Sequence, residues 1–297
     1  MSSVSPVVER YGLTGLAIIL ISQAATFAGI EPFASWNTPI CWTGFILFGD
    51  AIVYRSRGNS WIRSAPREFA GLALVSIPLW LVFEGYNRVL RNWYYVGLPE
   101  DPALRTFGYA WSFATIWPAI FEGADLMSVA RASRRSSAVS LPHLPNLPDL
   151  RDLPDPRDRP GLLSAAIGAA MLIAPFLVSA ASARYLAAPV WLGFIFLLDP
   201  INAWLGGESL WDDWRAKRRD RLTNLSLSGL LCGVLWEFWN YWSRAKWHYS
   251  VPIMEHLKLF EMPLPGYFGF PAFAIECFTM YVFLRRAFTR AGRTIAL

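Results

Sequence analysis

The feature of this sequence that most constrains its fold is a series of long runs that contain almost no charged residues. A helix needs about 20 mostly apolar residues to cross the hydrocarbon core of a bilayer, and runs of this kind recur along the 297 residues. Charged residues make up only 16% of the chain, against about 25% in soluble domains. We therefore predict an all-α polytopic membrane helix bundle with about eight transmembrane helices. The predicted spans lie near residues 12–30, 38–54, 69–86, 107–129, 161–183, 187–205, 222–242 and 266–284.

The distribution of basic residues predicts the orientation of these spans. Most of the 27 Lys and Arg residues fall in loops on one side, including those that begin near Arg55, Arg131, Arg215 and Arg285. Cytoplasmic loops are enriched in Lys and Arg, so we expect both termini in the cytoplasm and the loops near 87–106 and 243–265 outside. The basic residues flank apolar runs and form no continuous patch, so the net charge of +5 does not indicate a nucleic-acid partner. The expected partner is the lipid bilayer.

Short matching segments predict that the chain consists of two tandem halves of four helices each. The pairs occur in the same order and are separated by 149 to 154 residues. A repeat with an even number of spans places both halves in the same orientation. The matching segments are Asp50-Ala51-Ile52 with Asp199-Pro200-Ile201, Phe83-Glu84-Gly85-Tyr86-Asn87 with Trp236-Glu237-Phe238-Trp239-Asn240, Trp93-Tyr94-Tyr95 with Trp247-His248-Tyr249, and Trp117-Pro118-Ala119 leading to Glu122 with Phe270-Pro271-Ala272 leading to Glu276.

A Pro-rich segment separates the two predicted halves. Pro142, Pro145 and Pro148 recur with a period of three residues, which is typical of a polyproline II linker. We divide the chain into a first transmembrane repeat at 1–130, a cytoplasmic linker at 131–160 and a second transmembrane repeat at 161–297. The linker is a tether between the halves or, alternatively, a segment that binds a partner.

Carboxylates inside the predicted spans are the strongest functional signal in the sequence. A carboxylate in a bilayer is costly unless it is protonated, paired with a base or bound to a cation. The loops account for every Lys and Arg, and only Arg88, one turn after Glu84, is placed to pair with one of these acids. Three interpretations remain open: neutral acids, a bound cation, or hydrogen-bonding groups between helices with no further role. The acids are Asp50, Glu84, Glu122, Asp199, Glu237 and Glu276, with Asp125 nearer a cytoplasmic end.

Two of these acids have an asparagine on the same helix face. Glu84 and Asn87 are three residues apart, as are Glu237 and Asn240, and this spacing places each pair on one face. An asparagine can hold a carboxyl group by hydrogen bonding or offer an oxygen to a cation. Nearby aromatic rings can bind an apolar substrate and stabilise a carbocation, although anchoring at the membrane interface explains the outermost rings equally well. The candidate catalytic residues are Glu84, Asn87, Glu122, Glu237, Asn240 and Glu276, and the candidate substrate-binding residues are Asp50, Tyr86, Asp199, Trp236 and Trp239.

The sequence indicates no metal or cofactor site of a familiar type. The 3 His residues form no HxxxH or ExxH pair, and the 3 Cys residues are far apart and form no CxxC motif. We therefore predict no imidazole-based metal site, while a hard cation held by carboxylate and asparagine oxygens stays open. No nucleotide-binding, hydrolase or haem-attachment motif is present, so the cofactor is unknown.

The segment from Glu261 to Pro271, together with Trp236-Glu237-Phe238-Trp239-Asn240, resembles a part of uncharacterised multi-pass bacterial membrane proteins. The resemblance covers about the last quarter of the chain and implies a location in the bacterial inner membrane, but it carries over no activity. The plan of repeated helices with buried acids is also similar to the membrane-bound lycopene cyclases and carotenoid hydratases. The Pro-x-Glu-Glu motif of the cyclases is absent from this sequence.

Three functions fit these observations. The first is an enzyme that performs acid–base chemistry on an apolar lipid or isoprenoid substrate, because protonation of a double bond requires a neutral acid in a dry site. The second is a transporter or proton-coupled carrier, which helices broken near the bilayer midplane would favour. The third is a membrane scaffold without catalytic activity, in which each acid is satisfied locally.

Overall fold

The computed structural model describes residues 10–135 and 159–288, and these residues are mostly helical, as predicted. The Pro-rich period at 142–148 lies outside the described residues. The helices are α1 (Arg10–Phe27), α2 (Phe33–Arg57), α3 (Trp61–Ser64), α4 (Pro66–Leu90), α5 (Pro102–Ala114), α6 (Ile116–Arg135), α7 (Arg159–Leu177), α8 (Ala180–Ala183), α9 (Ala187–Trp204), α10 (Leu210–Arg215), α11 (Asp220–Trp242) and α12 (Gly269–Phe288). The strands are β1 (Trp93–Val96), β2 (Lys246–Tyr249), β3 (Lys258–Leu259) and β4 (Met262–Pro263), and a 3-10 helix (Leu264–Phe268) precedes α12.

Four segments are long and apolar enough to cross a membrane, within the part of the chain that the structure describes. They are α4, α7, α9 and the segment from Leu264 to Ala287, which includes all of α12 except its last residue. These segments coincide with the predicted spans at 69–86, 161–183, 187–205 and 266–284, so membrane association is supported. Both Pro78 in α4 and Pro200 in α9 lie inside helices that continue past them.

The count of four candidate spans differs from the predicted eight. The predicted span at 107–129 is divided at Thr115 into α5 and α6. The helices α1, α2, α6 and α11 contain 18, 25, 20 and 23 residues, so length does not exclude them. The difference is therefore one of composition, because polar residues lower their average hydropathy. Examples are Asn37 and Asp50 in α2, Glu122 and Asp125 in α6, and Glu237 and Asn240 in α11.

Two helix pairs approach each other closely at glycines. A Cβ atom added to Gly15 of α1 would lie 2.5 Å from the carbonyl oxygen of Gly44 of α2. In the pair α7 and α9, a Cβ atom added to Gly193 would lie 2.7 Å from side-chain atoms of Leu172. Small residues at such crossings let helix backbones come together, which is the usual packing device between helices in a bilayer.

Polar side chains join the central helices through main-chain carbonyl groups. The indole nitrogen of Trp117 in α6 donates to the carbonyl oxygen of Cys277 in α12 at 2.9 Å. The hydroxyl of Ser228 in α11 donates to the carbonyl oxygen of Ile120 in α6 at 2.6 Å. The side-chain amide of Asn202 in α9 donates to the carbonyl oxygen of Thr279 in α12 at 2.9 Å. The core of the bundle is therefore fixed by directional bonds as well as by apolar packing.

An antiparallel two-stranded ribbon lies in the loops that we expect outside the membrane. Strand β1 pairs with β2, and Trp93 is opposite Tyr249 while Tyr95 is opposite Trp247. A second small sheet pairs β3 with β4. The all-α prediction did not include these strands, because each is at most four residues long and the ribbon joins segments far apart in sequence.

Candidate functional site

One cavity among the described residues has a volume of about 430 Å³ and a wall rich in aromatic residues. The ring of Phe273 lies at the centre of this wall, with centroid distances of 5.8 Å to Trp80, 5.2 Å to Trp191 and 6.2 Å to Trp236. Such a site suits an apolar ligand, since rings bury a large area and leave few polar groups exposed. The aromatic lining residues are Trp36, Trp42, Trp80, Trp93, Tyr95, Tyr109, Phe113, Tyr185, Trp191, Trp236, Trp247, Tyr249, Phe268, Phe270 and Phe273.

Helix α5 forms one side of the cavity with a single face. Arg105, Tyr109, Ser112 and Phe113 line the cavity and are spaced three or four residues apart or adjacent, which is the spacing of one helix face. From Arg105 to Phe113 this face extends about 12 Å, at 1.5 Å per residue. The wall thus runs from a charged outer end to an apolar inner end.

The ribbon presents four aromatic residues to the cavity. Trp93 and Tyr95 of β1 and Trp247 and Tyr249 of β2 all line the cavity, because alternate residues of a strand share one face. On the opposite face, the rings of Tyr94 and His248 lie 5.7 Å apart. Each strand therefore contributes one tryptophan and one tyrosine to the cavity.

Glu84 is bound by three neutral donors at the edge of this site. Its Oε1 atom accepts hydrogen bonds from the hydroxyl of Tyr95 at 2.5 Å, the indole nitrogen of Trp80 at 2.9 Å and that of Trp93 at 3.2 Å. All three donors line the cavity, although Glu84 itself does not. The pairing with Arg88 that the helix spacing allowed is not the arrangement found.

Glu237 is bound in a similar way on α11. The hydroxyl of Tyr249 donates to its Oε1 atom at 2.9 Å. Glu237 is fully buried, and its Oε2 atom has no hydrogen-bond partner among the described residues. Glu237 likewise does not line the cavity, so its contact with the site is through Tyr249.

Both tyrosines are held in the neutral form. Burial raises the pKa of Tyr95 and of Tyr249 well above the usual range, and the neighbouring carboxyl groups of Glu84 and Glu237 act in the same direction. The hydroxyl groups of the ribbon are therefore proton-bearing donors at neutral pH.

The two asparagines next to these acids hold the ribbon. The amide of Asn87 donates to the carbonyl oxygen of Trp93 at 2.8 Å, and its oxygen accepts from the backbone nitrogen of Asn92 at 2.9 Å. Asn240 makes the corresponding bonds to the backbone of Trp247, both at 2.9 Å. Both side chains thus fix the strand that carries the cavity-facing rings.

Glu122 and Glu276 differ in their surroundings: Glu122 lies beside the acids Asp50 and Asp125, whereas Glu276 has no such acidic neighbour among the described residues. Both are fully buried, and neither carboxyl group has a hydrogen-bond partner among the described residues. Neither lines the cavity; Glu276 follows the cavity residue Phe273 by three residues, about one turn of α12.

Most of the other candidate residues lie outside the cavity. Asp50 accepts from the hydroxyl of Tyr11 at 2.6 Å, from that of Ser60 at 2.9 Å and from the backbone nitrogen of Ile62 at 2.8 Å. Asp50 thus joins α1, α2 and α3, and its substrate-binding role stays a prediction.

Asp199 makes a similar set of bonds. It accepts from the hydroxyl of Ser209 at 2.9 Å and from the backbone nitrogens of Leu210 at 2.7 Å and Trp211 at 3.0 Å. These bonds fix the start of α10 to α9, as a capping group does.

Of the three aromatic candidates for substrate binding, two lie outside the cavity and one lines it. The hydroxyl of Tyr86 donates to the carbonyl oxygen of Leu172 at 3.1 Å, and the buried ring of Trp239 contacts Trp42 at 4.8 Å. Only Trp236, among the five candidate substrate-binding residues, lines the cavity.

One buried acid has a basic partner that we did not predict. Asp125 is bound by the guanidinium of Arg57 and by the indole nitrogen of Trp61 at 3.1 Å. Arg57 belongs to the last turn of α2, where a long side chain can reach back toward a buried carboxylate. Assigning a basic residue to a loop therefore does not exclude a contact between its side chain and a buried acid.

The ribbon residues are the functional candidates that sequence reasoning missed. Both strands carry a Trp-x-Tyr pattern, Trp93 with Tyr95 and Trp247 with Tyr249, and this alternation of period two would have indicated one strand face. We instead interpreted these aromatic loops as interfacial anchors.

Three of the lining residues carry a buried polar atom that lacks a hydrogen-bond partner. The Oγ1 atom of Thr38, the Oδ1 atom of Asn92 and the Nε1 atom of Trp247 belong to lining residues and have no hydrogen-bond partner in the described ranges. Within residues 10–135 and 159–288, no three His, Cys, Asp or Glu residues are grouped so as to hold a metal ion.

The arrangement can enclose an apolar molecule in a wall that contains two glutamate-bonded tyrosines. Comparison of the chain with protein-family models, with curated proteins and with solved structures finds no match.

Proposed function

We propose that this chain is a multi-pass integral membrane enzyme that holds an apolar lipid or isoprenoid substrate in the aromatic cavity. One observation carries the proposal: Tyr95 and Tyr249 belong to the cavity wall, and the hydroxyl group of each is hydrogen-bonded to a glutamate behind the wall. A wall of rings supplies affinity for a hydrocarbon, and the paired polar groups supply a means to move a proton.

The chemistry follows from the order of the groups. In the acid direction, Tyr95 gives its hydroxyl proton to the substrate while a protonated Glu84 returns one to the phenol oxygen. In the base direction, Tyr95 accepts a proton from the substrate while its own proton passes to the Glu84 carboxylate. Either direction conserves protons and never requires a free tyrosinate, which the raised pKa of Tyr95 disfavours. Tyr249 and Glu237 are arranged for the same exchange.

In this proposal the remaining polar residues have positioning roles. Asn87 and Asn240 hold the strands that carry the tyrosines. Glu122 and Glu276 lie behind the wall, where they can act only through other groups. Trp236 belongs to the substrate-binding wall.

Matching hydrogen bonds support the proposal that the chain consists of two tandem halves. Asn87 and Asn240 bind the following strand through the same atoms. Asp50 and Asp199 each accept from a serine and from a backbone nitrogen at the start of the next short helix. We propose that polar helices such as α2, α6 and α11 lie inside the bundle, where protein shields their carboxyl groups from lipid.

The test is mass spectrometry of organic extracts from cells that express the protein. The variants are Tyr95→Phe/Tyr249→Phe and Glu84→Gln/Glu237→Gln, with Tyr94→Phe on the opposite ribbon face as the matched control. We expect a lipid or isoprenoid species that is present with the wild type and with the control but absent with both double variants. Identical extracts from all strains, with every variant inserted and folded, would contradict the enzymatic function.

A proton-coupled transporter is the second candidate, because two helical segments are interrupted near buried acids. The break at Thr115 precedes Glu122, and the junction between the 3-10 helix and α12 precedes Glu276. Discontinuous helices beside buried acids are a feature of transport sites. Proton flux into proteoliposomes that is lost in Glu122→Gln and Glu276→Gln would favour transport. If neither proton flux nor a lipid product were detected, the remaining hypothesis would be a membrane scaffold without catalytic activity.

A further inference from the structure

The charged residues of the cavity wall are all positive. Of the lining residues in the described ranges, Arg105 and Lys246 carry a charge and none is acidic. Glu84 and Glu237 lie behind the wall and accept hydrogen bonds from it. Aromatic rings alone would suit a cationic ligand. The positive charges of Arg105 and Lys246 in the same wall would repel such a ligand.

The two cations of the wall differ in how their charge is compensated. The Nζ atom of Lys246 lies 3.1 Å from Glu261, donates to the carbonyl oxygen of Tyr241 at 3.1 Å and lies 5.1 Å from the ring centroid of Tyr241. The guanidinium of Arg105 has no hydrogen-bond acceptor or ion-pair partner among residues 10–135 and 159–288. Arg105 is half-buried and lines the cavity. Such a group can bind an anion with little competition.

The position of Arg105 defines where the charged part of a ligand would lie. Arg105 is at the outer end of the α5 face that lines the cavity, about 12 Å from Phe113 at the inner end. Several residues of the wall are exposed and mark the mouth of the cavity: Tyr185 at 56%, Ile253 at 43% and Phe268 at 83%. The apolar body of a ligand would thus occupy the aromatic interior, with its polar end near the mouth.

We infer that the cavity takes an anionic amphiphile, with the hydrocarbon chain among the aromatic rings and a phosphate or carboxylate headgroup at Arg105. This inference rests on the proposed function and names the substrate class for the same cavity. A planar guanidinium offers paired donors to either headgroup.

The experiment measures binding of four probes to the full chain in phosphatidylcholine nanodiscs. The probes are dodecyl phosphate, dodecanoate, dodecanol and dodecyltrimethylammonium, each brominated at the end of the chain so that contact quenches tryptophan fluorescence. The variants are Arg105→Gln and Arg105→Lys, and Arg88→Gln, which lies outside the cavity wall, is the matched control. The two anionic probes distinguish phosphate from carboxylate recognition.

We expect at least one anionic probe to bind roughly tenfold more tightly than dodecanol, which is the effect of one charged hydrogen-bonded contact. Arg105→Gln should remove this difference and leave dodecanol binding unchanged, while Arg105→Lys and Arg88→Gln should retain most of it. Equal binding of all four probes with no effect of Arg105→Gln would overturn the headgroup site and leave the proposed apolar cavity intact. Tightest binding of dodecyltrimethylammonium would also overturn it. Failure of every probe to quench would contradict the proposed function itself.

Discussion

The hydroxyl of Tyr249 on strand β2 donates a hydrogen bond of 2.9 Å to Glu237 on helix α11. The bond connects the cavity wall to a carboxyl group that is wholly buried. Tyr95 and Glu84 make a similar bond at 2.5 Å, but Glu84 also accepts from two indole nitrogens. The two acids therefore depend on their tyrosines to different degrees.

This difference predicts unequal costs for removing the two hydroxyl groups. Tyr249→Phe should lower the free energy of unfolding by about 1–3 kcal/mol, because it removes a hydrogen bond from a buried carboxyl group. Tyr95→Phe should cost less, since Trp80 and Trp93 still bind Glu84. Thermal unfolding of the detergent-solubilised protein measures both changes. A larger loss of unfolding free energy for Tyr95→Phe than for Tyr249→Phe would contradict the idea that Trp80 and Trp93 compensate for the missing hydroxyl at Glu84.

We expect that replacing Glu122 or Glu276 reduces function but does not reduce stability. Each carboxyl group is buried without a hydrogen-bond partner among the described residues, so replacing it by an apolar side chain of similar length removes an uncompensated polar group. We expect Glu122→Met and Glu276→Met to raise the unfolding temperature, by the equivalent of about 1–3 kcal/mol, and to reduce activity or transport. Asp125→Met is the contrasting variant and should destabilise, because it leaves Arg57 without the carboxylate that it binds.

The neutral state of Tyr95 and Tyr249 can be checked by alkaline titration. Their pKa values lie well above the usual range through burial, so they should stay protonated about one pH unit above the usual tyrosine pKa of about 10. Tyr95→Phe/Tyr249→Phe should then leave the tyrosinate absorbance of the folded protein unchanged at that pH. A reduction by the double variant would mean that water reaches these hydroxyl groups.

The same shift has a consequence for stability against pH. A tyrosine whose pKa is raised in the folded state contributes stability that is complete below the unfolded pKa and is lost as the pH rises above it. The unfolding temperature should therefore fall above about pH 10, and less steeply in Tyr95→Phe/Tyr249→Phe. Thermal scans at a series of pH values measure the slope.

Cysteine labelling tests the predicted orientation in the membrane. The native residues Cys41, Cys232 and Cys277 are buried and give little background. Tyr94→Cys, on the ribbon, should react with a membrane-impermeant maleimide in intact cells. Asn59→Cys, between α2 and α3, should react only after the cells are permeabilised, because the adjacent loop is rich in arginine. The opposite pattern would invert the topology.

The sequence by itself determined that the chain is mostly helical and that four of its segments are long and apolar enough to cross a membrane. The segments at 69–86, 161–183, 187–205 and 266–284 were found because sustained apolar runs have few alternatives to spanning helices. The local pairs Glu84 with Asn87 and Glu237 with Asn240 were also visible, since one turn of helix fixes their shared face.

Only the tertiary structure decided what these residues contact. Average hydropathy does not distinguish a polar helix that is enclosed by other helices from one outside the bilayer. The mean hydropathy of α2, α6 and α11 is too low for them to count among the candidate spans, although we predicted spans there. The cavity depends on Tyr95 lying opposite Trp247 and on Phe273 packing against both Trp80 and Trp236. Those contacts join residues that are far apart in the chain, and long-range pairing is set by the packing of the whole bundle and not by local sequence pattern.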